Sequence, residues 1–225
     1  MQTIKYIIVG FIIFMLVTGC SKRTEGVVEY KITYDQTKEE NPLVNLMPTT
    51  MKIYFNEQVI LTQIEGWMGI FKSYQLSDLN DSSNVLLMKL LDKKFYYKRK
   101  LSEPPLDFEK LNIVRMDYIE TDTVFKGYKC KQVIVDILED SVQKQYSLLY
   151  TNDIKIKAPN RNNPFQAIPG VLLTFTMNFK GMSMNLEFNS YRDTVFPENT
   201  FKIPSDYKEL SRDEMTTFFQ ELTTL

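Results

Sequence analysis

The sequence predicts a mainly β chain with a few short helices, folded as a curved antiparallel sheet or half-open β-barrel. Three observations carry that expectation. Period-two alternation of apolar and polar residues recurs in short segments from Val27 to Phe188, the signature of half-buried strands. Two such segments meet at Lys180-Gly181 as a hairpin would. Helical periodicity is confined to three brief stretches, so roughly ten or eleven short strands must make the body of the domain.

Taken in order, the chain opens on Lys5, an apolar run from Ile7 to Val17, and Val17-Thr18-Gly19-Cys20. An apolar run of about 11 residues falls short of the about 20 that span a hydrocarbon layer. A positive start, a short apolar core and a small-residue end read instead as a secretory signal. The tetrapeptide closely resembles a bacterial lipobox. That resemblance implies cleavage after residue 19 and acylation of Cys20 by palmitate-type chains, several of which hold a protein at a membrane durably. The expected organisation is a signal peptide over 1–19, a lipidated tether over 20–25, and a single β domain over 26–225. The net charge of −1 gives no steering toward nucleic acid.

The strand candidates follow from alternation and from turn residues between them: Val27–Tyr34, Thr50–Phe55, Gln58–Glu65, Gly69–Gln75, Val85–Leu91, Phe95–Arg99, Tyr118–Val124, Tyr128–Ile137 and Gln143–Tyr150. Next comes the clearest pair. Val171, Leu173, Phe175, Met177 and Phe179 alternate with Leu172, Thr174, Thr176 and Asn178, and after Gly181 the run Met182, Met184, Leu186, Phe188 resumes the pattern. A two-residue turn pairs Phe179 with Met182, Met177 with Met184, Phe175 with Leu186 and Leu173 with Phe188. A slip of one residue would send every apolar side chain to the other face.

Helical pieces are expected at three places. Asn41-Pro42 makes a cap and first turn, with Leu43, Leu46 and Met47 as one stripe. Asn163-Pro164-Phe165 opens a brief turn. Ser211-Arg212-Asp213-Glu214 is a capping box ahead of Met215, Phe218, Phe219 and Leu222.

The chain contains no histidine, which removes Ser-His-Asp and Cys-His catalysis and histidine-based metal sites. No Gly-rich phosphate loop is present, and the scattered acids give no evident catalytic pair. No metal site, no cofactor beyond the covalent lipid on Cys20, and no enzymatic activity are expected. With Cys20 acylated, Cys130 has no partner for a disulfide and reads as a small buried hydrophobe. Asp78 to Ser83 reads as a turn, since it lacks the glycine and terminal glutamate of a calcium loop. The basic and aromatic run Lys93 to Lys100 suits anionic lipid headgroups or a solvated hairpin.

The lipobox, the long sheet, Gly127-Tyr128-Lys129-Cys130-Lys131, Asn163-Pro164-Phe165 with Ile168-Pro169-Gly170, and Phe201 to Tyr207 together resemble an uncharacterised group of Bacteroidota envelope lipoproteins. Those proteins are similar in fold to the lipoprotein carriers LolA and LolB. The resemblance implies a concave apolar face that holds acyl chains beneath helical lids. On this chain the lining would be Val171, Leu173, Phe175, Met177, Met184 and Leu186, and the lid Leu43, Leu46 and Met47. The ligand would be a lipid or a lipoprotein acyl chain. The alternative is that the same stripe is filled core and the protein is a non-catalytic interaction or scaffold lipoprotein with an envelope protein partner. Because Ser21 to Glu25 carry no acidic cluster, the periplasmic face of the outer membrane is the expected location, with no nucleic-acid partner.

Overall fold

The computed structural model describes residues 24–221 apart from 38, 42–43, 46, 67–68, 82, 100–102, 104–110, 140, 180–181 and 198; the side chains of 111, 139, 178–179, 182 and 219–221 are likewise outside the description. The expected signal at 1–19, Cys20, Leu43, Leu46, the Lys180-Gly181 turn and Leu222 therefore lie outside the described residues.

The strands are β1 (Gly26–Tyr34), β2 (Thr50–Phe55), β3 (Val59–Gly66), β4 (Phe71–Asp78), β5 (Asn84–Leu90), β6 (Lys93–Arg99), β7 (Leu111–Ile119), β8 (Val124–Phe125), β9 (Tyr128–Lys129), β10 (Lys131–Glu139), β11 (Val142–Thr151), β12 (Val171–Phe179), β13 (Met182–Asp193) and β14 (Lys208–Glu209), followed by the helix α1 (Arg212–Glu221). Among the described residues, twelve strands make one sheet in the order β14-β6-β5-β4-β3-β2-β1-β13-β12-β11-β10-β7, and β8 with β9 forms a separate ribbon. Neighbours in the sheet are antiparallel except for β14 beside β6. The sheet is curved but does not close into a barrel, leaving β7 and β14 as its edges.

Most of this order follows from short connections, the exceptions being 35–49 between β1 and β2 and 152–170 between β11 and β12. β1 to β6 is a meander in which each strand turns back beside the last, as short linkers favour. β10 to β13 is a second meander. The two halves join where β1 pairs with β13, Tyr30 opposite Phe188 and Ile32 opposite Leu186, with a bulge between Glu29 and Tyr30. The expected hairpin register holds at Phe179–Met182, Met177–Met184 and Phe175–Leu186, and the paired ladder ends at Thr174–Glu187, one step before Leu173.

Alternation sends one residue in two to a packed face. There Val28, Tyr30 and Ile32 of β1 meet Met51, Ile53 and Phe55 of β2, Val133 and Val135 of β10, Leu148 of β11, and Phe175 of β12 in one buried cluster. Farther along the same face, Leu86, Met88, Leu90 and Tyr97 form a second cluster with Met215 and Phe218 of α1. Phe95 meets Phe218 edge to face at 5.0 Å. The expected capping box is formed: Ser211 N–H donates to Glu214 Oε2 at 2.8 Å while Glu214 N–H donates back to Ser211 Oγ at 3.3 Å. The opposite face of the β1–β6 half is crossed by the chain after β13, where Phe196 packs edge to face on Tyr54 and on Phe201.

Several expected elements differ. The strand read at Tyr118–Val124 is instead β7, ending at Ile119. The chain leaves the sheet there, and Thr121 Oγ1 donates to Cys130 O at 3.0 Å. The run read as one strand from Tyr128 is broken at Cys130, because Phe125-Lys126-Gly127-Tyr128 folds into a tight hairpin. Lys126 and Gly127 have φ of 47° and 87°, the pair of positive values that a type I′ turn needs. Of the helical pieces, α1 is the one α-helix among the described residues, and Val44 and Asn45 hold a short 3₁₀ turn in which Met47 N–H donates to Val44 O at 3.2 Å. The brief turn expected from Asn163 is present over 164–167, where Asn163 Oδ1 accepts the Phe165 N–H at 2.9 Å, a local bond typical of such turns. Cys130 is buried and free, and burial raises its thiol pKa.

Candidate functional site

Residues 152–170, between β11 and β12, hold neither strand nor helix, and they combine an exposed side, with Asn152, Lys155 and Gln166, and a buried one. The buried side lies on the packed face. Phe165 and Ile168 are 0% and 1% exposed and belong to the larger apolar cluster, as does Ile154. Phe165 meets Phe175 edge to face at 6.3 Å, and Tyr30 meets Phe175 at 5.6 Å. The segment is tied down by Asn160, whose Nδ2 donates to Ile168 O at 2.8 Å and Gly170 O at 2.9 Å. A loop of this length in a compact domain is usually functional, and here it caps the apolar stripe.

The sequence-read lining residues are brought together. Val171, Leu173, Phe175, Met177 and Leu186 are buried in one cluster, and Met184 is half-buried against it. Their space is taken up by one another and by Phe165, Ile168 and Tyr30, with Phe175 at 4% and Met177 at 7% exposure. Met47 is half-buried. The stretch ahead of β2 is held to β1 where the Tyr34 hydroxyl donates to Pro48 O at 2.7 Å.

Beyond Ile60 the packed face turns polar, and nothing in the sequence pattern announces it. The register sets Ile60 opposite Ser77, Ser77 opposite Asn84 and Asn84 opposite Arg99. In the next row Thr62 faces Gln75, Gln75 faces Leu86 and Leu86 faces Tyr97. A polar seam thus separates the two apolar clusters. Over it lies the turn Ala158 to Arg161, closed by Arg161 N–H donating to Ala158 O at 3.1 Å, with Ala158 at φ 51°.

Ser77's buried hydroxyl sits between the side-chain carbonyls of Asn84 and Asn162 and donates to one of them at a time. Asn162 Nδ2 donates to Gln75 O at 3.2 Å. Arg99 Nη1 donates to Glu103 O at 2.7 Å, and Arg212 of α1 pairs with Glu103 Oε2 at 3.0 Å, an oxygen that also accepts the Tyr97 hydroxyl. Burial, then the charge of Arg161, draws the Arg99 guanidinium below its usual range. The Tyr97 phenol is raised by burial and by its bond to Glu103.

The basic run of β6 is divided by alternation. Phe95 and Tyr97 turn inward, while outward Lys94 pairs with Asp206, the Tyr96 hydroxyl donates to Glu209 Oε2 at 2.7 Å, and Lys98 pairs with Glu209 at 3.5 Å. Among the described residues no group of three or more His, Cys, Asp or Glu side chains is placed to hold a metal ion, and no helix is long and apolar enough to cross a membrane.

Buried phenols fix how stability depends on pH. Tyr30 donates to Leu172 O at 2.9 Å, and burial pushes its pKa far above the ordinary value of 10.0. Tyr191 and Tyr207 are pushed up to about 12, chiefly by burial. A group whose pKa is higher folded than unfolded contributes stability that is complete below the unfolded value and is lost as pH rises through the folded one. With no histidine in the chain, the urea midpoint should be level from pH 6 to 8 and fall above pH 10. Tyr30→Phe should lessen that alkaline fall while costing about 1 kcal/mol at neutral pH. A midpoint that falls between pH 6 and 8 would contradict this.

Comparison with protein-family models, with curated proteins and with solved structures finds no match to the chain.

Proposed function

We propose that the chain is a lipid-anchored, non-catalytic binding protein of the bacterial cell envelope, held through Cys20 at the periplasmic face of the outer membrane and similar in fold to the LolA and LolB carriers. The observation that carries the reading is the manner in which the apolar stripe is covered. An open sheet presents Val171, Leu173, Phe175 and Leu186, and the layer over them at Phe165 and Ile168 is an irregular segment. Irregular segments open at lower cost than helices or strands with full hydrogen-bond ladders. A lipid or lipoprotein acyl chain would take the place of the Phe165 and Ile168 side chains, apolar surface exchanging for apolar surface.

The second reading, an interaction or scaffold lipoprotein with an envelope protein partner, is favoured by the filled state of that stripe: Leu173 and Phe165 are each 0% exposed. Native mass spectrometry of the full chain, purified from envelope membranes in a non-ionic detergent, separates the two. Carriage gives a lipid adduct beyond the covalent acyl mass, displaced by added fatty acid. A ligand-free chain bound to a stoichiometric protein partner gives the scaffold. The anchor is tested by Cys20→Ser, which should leave an unprocessed precursor without acyl label; normal maturation of that variant would sink the assignment.

A further inference from the structure

The Nε and Nη2 atoms of Arg161 are buried and have no hydrogen-bond partner. These two atoms are one edge of the guanidinium, the side-on fork whose parallel N–H groups match two oxygens of a carboxylate or a phosphate. A guanidinium does not shed its proton in a protein, so the fork is a buried positive donor pair awaiting an acceptor. Unpaired buried donors of this kind are costly and call for an explanation.

Among the described residues the neighbours supply none. Glu103 is engaged by Arg212 and the Tyr97 hydroxyl, while its backbone oxygen takes Arg99. Asp81 feels the charge of Arg161, but its carboxylate accepts the Ser83 N–H at 2.7 Å, and no ion pair within 4.0 Å joins it to Arg161 among the described residues. Asn84, 4% exposed and in the same row as Arg99, has its Nδ2 without a partner. Two guanidinium groups that repel each other and a buried amide therefore border the same seam.

We propose that the polar seam between the two apolar clusters is an oxyanion-binding site, in which the Arg161 fork takes two oxygens of one carboxylate or phosphate beside Arg99 and Asn84. The site stands whether or not the apolar stripe carries a lipid, since none of the stripe residues takes part. A free anion and the headgroup of an amphiphile would present the same oxygens to arginine.

The test uses the full chain in a non-ionic detergent and a chloride buffer, with thermal unfolding as the readout. Inorganic phosphate, acetate and dihexanoylphosphatidic acid are the probes. At ten times the dissociation constant, an effective anion should raise Tm by about 4 °C. Arg161→Leu should be at least as stable as the parent in chloride, because it removes two buried donor atoms that lack an acceptor, and its Tm should not respond to the same anion. Arg161→Lys keeps the charge without the fork and should weaken binding at least about tenfold. Arg115→Gln, on β7 beside Asp117, should respond as the parent does. A response to phosphate and phosphatidic acid alike identifies a free anion, one to phosphatidic acid alone a headgroup, and one to acetate alone a carboxylate. The proposal is overturned if no probe moves the parent Tm, or if Arg161→Leu responds as strongly as the parent.

Discussion

Gly170→Ala should lower stability by about 3 kcal/mol, near the upper end for added atoms in a packed site. A Cβ at this position would stand 2.4 Å from Thr151 O, 2.7 Å from Asn152 Oδ1 and 2.7 Å from a ring carbon of Tyr150. The nearest of these is backbone and cannot rotate away. Gly170 closes the segment that covers the apolar stripe, and its own carbonyl accepts the Asn160 amide. Any shift that admits the methyl group therefore loosens the anchor of the cover as well. Urea denaturation should show a reduced midpoint with little change in slope, and Tm should fall by roughly 10 °C. Gly69, at φ 86° with its nearest contact at 3.9 Å from a flexible lysine, serves as a comparison in which backbone conformation and not crowding sets the cost. A Gly170→Ala protein as stable as the parent would mean that 151 and 170 are not held together as described.

The hairpin of β12 and β13 was legible because its alternation runs unbroken on both sides of the turn, so one register gives the three pairs Phe179–Met182, Met177–Met184 and Phe175–Leu186. Helix α1 was legible for a similar reason, since a capping box and apolar residues at helical spacing agree. β7 was not. Leu111-Asn112-Ile113-Val114-Arg115-Met116 alternates imperfectly, and Val114 remains 59% exposed on the edge strand, so its pattern does not separate an inside from an outside. β14 is two residues long and is defined by pairing with β6, which no local signal encodes.

The candidate site divides along the same line. The apolar stripe is local in sequence and was read directly. The polar seam is not local. In β4, alternation of Tyr74 and Leu76 would suggest that these face the core, but pairing with β3 and β5 sends Ser73, Gln75 and Ser77 to the packed face instead. β5 is apolar on both sides, with Val85 and Leu87 buried on one and Leu86 and Met88 on the other, so it carries no marker of orientation. Arg161 comes from a segment without periodicity, and its meeting with Arg99 depends on contacts across 62 positions of sequence. The presence of four asparagine or arginine residues in Asn160-Arg161-Asn162-Asn163, next to apolar Phe165 and Ile168, was the one signal that this stretch does more than connect two strands.

Phe165→Ala should be the most damaging single truncation in the covering segment, costing about 4 kcal/mol through lost burial and the cavity left behind. The ring is wholly buried and packs edge to face on Phe175, which in turn packs on Tyr30. Neighbouring strands hold the walls of that space in fixed ladders, so collapse around the missing ring is limited and the cavity term remains. Tm should drop by about 12 °C. The vacated volume lies against Phe175 and Leu173, the residues read as lining for an apolar ligand, and it should take up the fluorescent apolar probe N-phenyl-1-naphthylamine when the parent chain does not. Phe165→Leu, which refills most of the space, should recover most of the stability and exclude the probe again. A loss below about 1 kcal/mol for Phe165→Ala would show that the ring is not seated in the core, and with it the view of residues 152–170 as the cover of the stripe would fail.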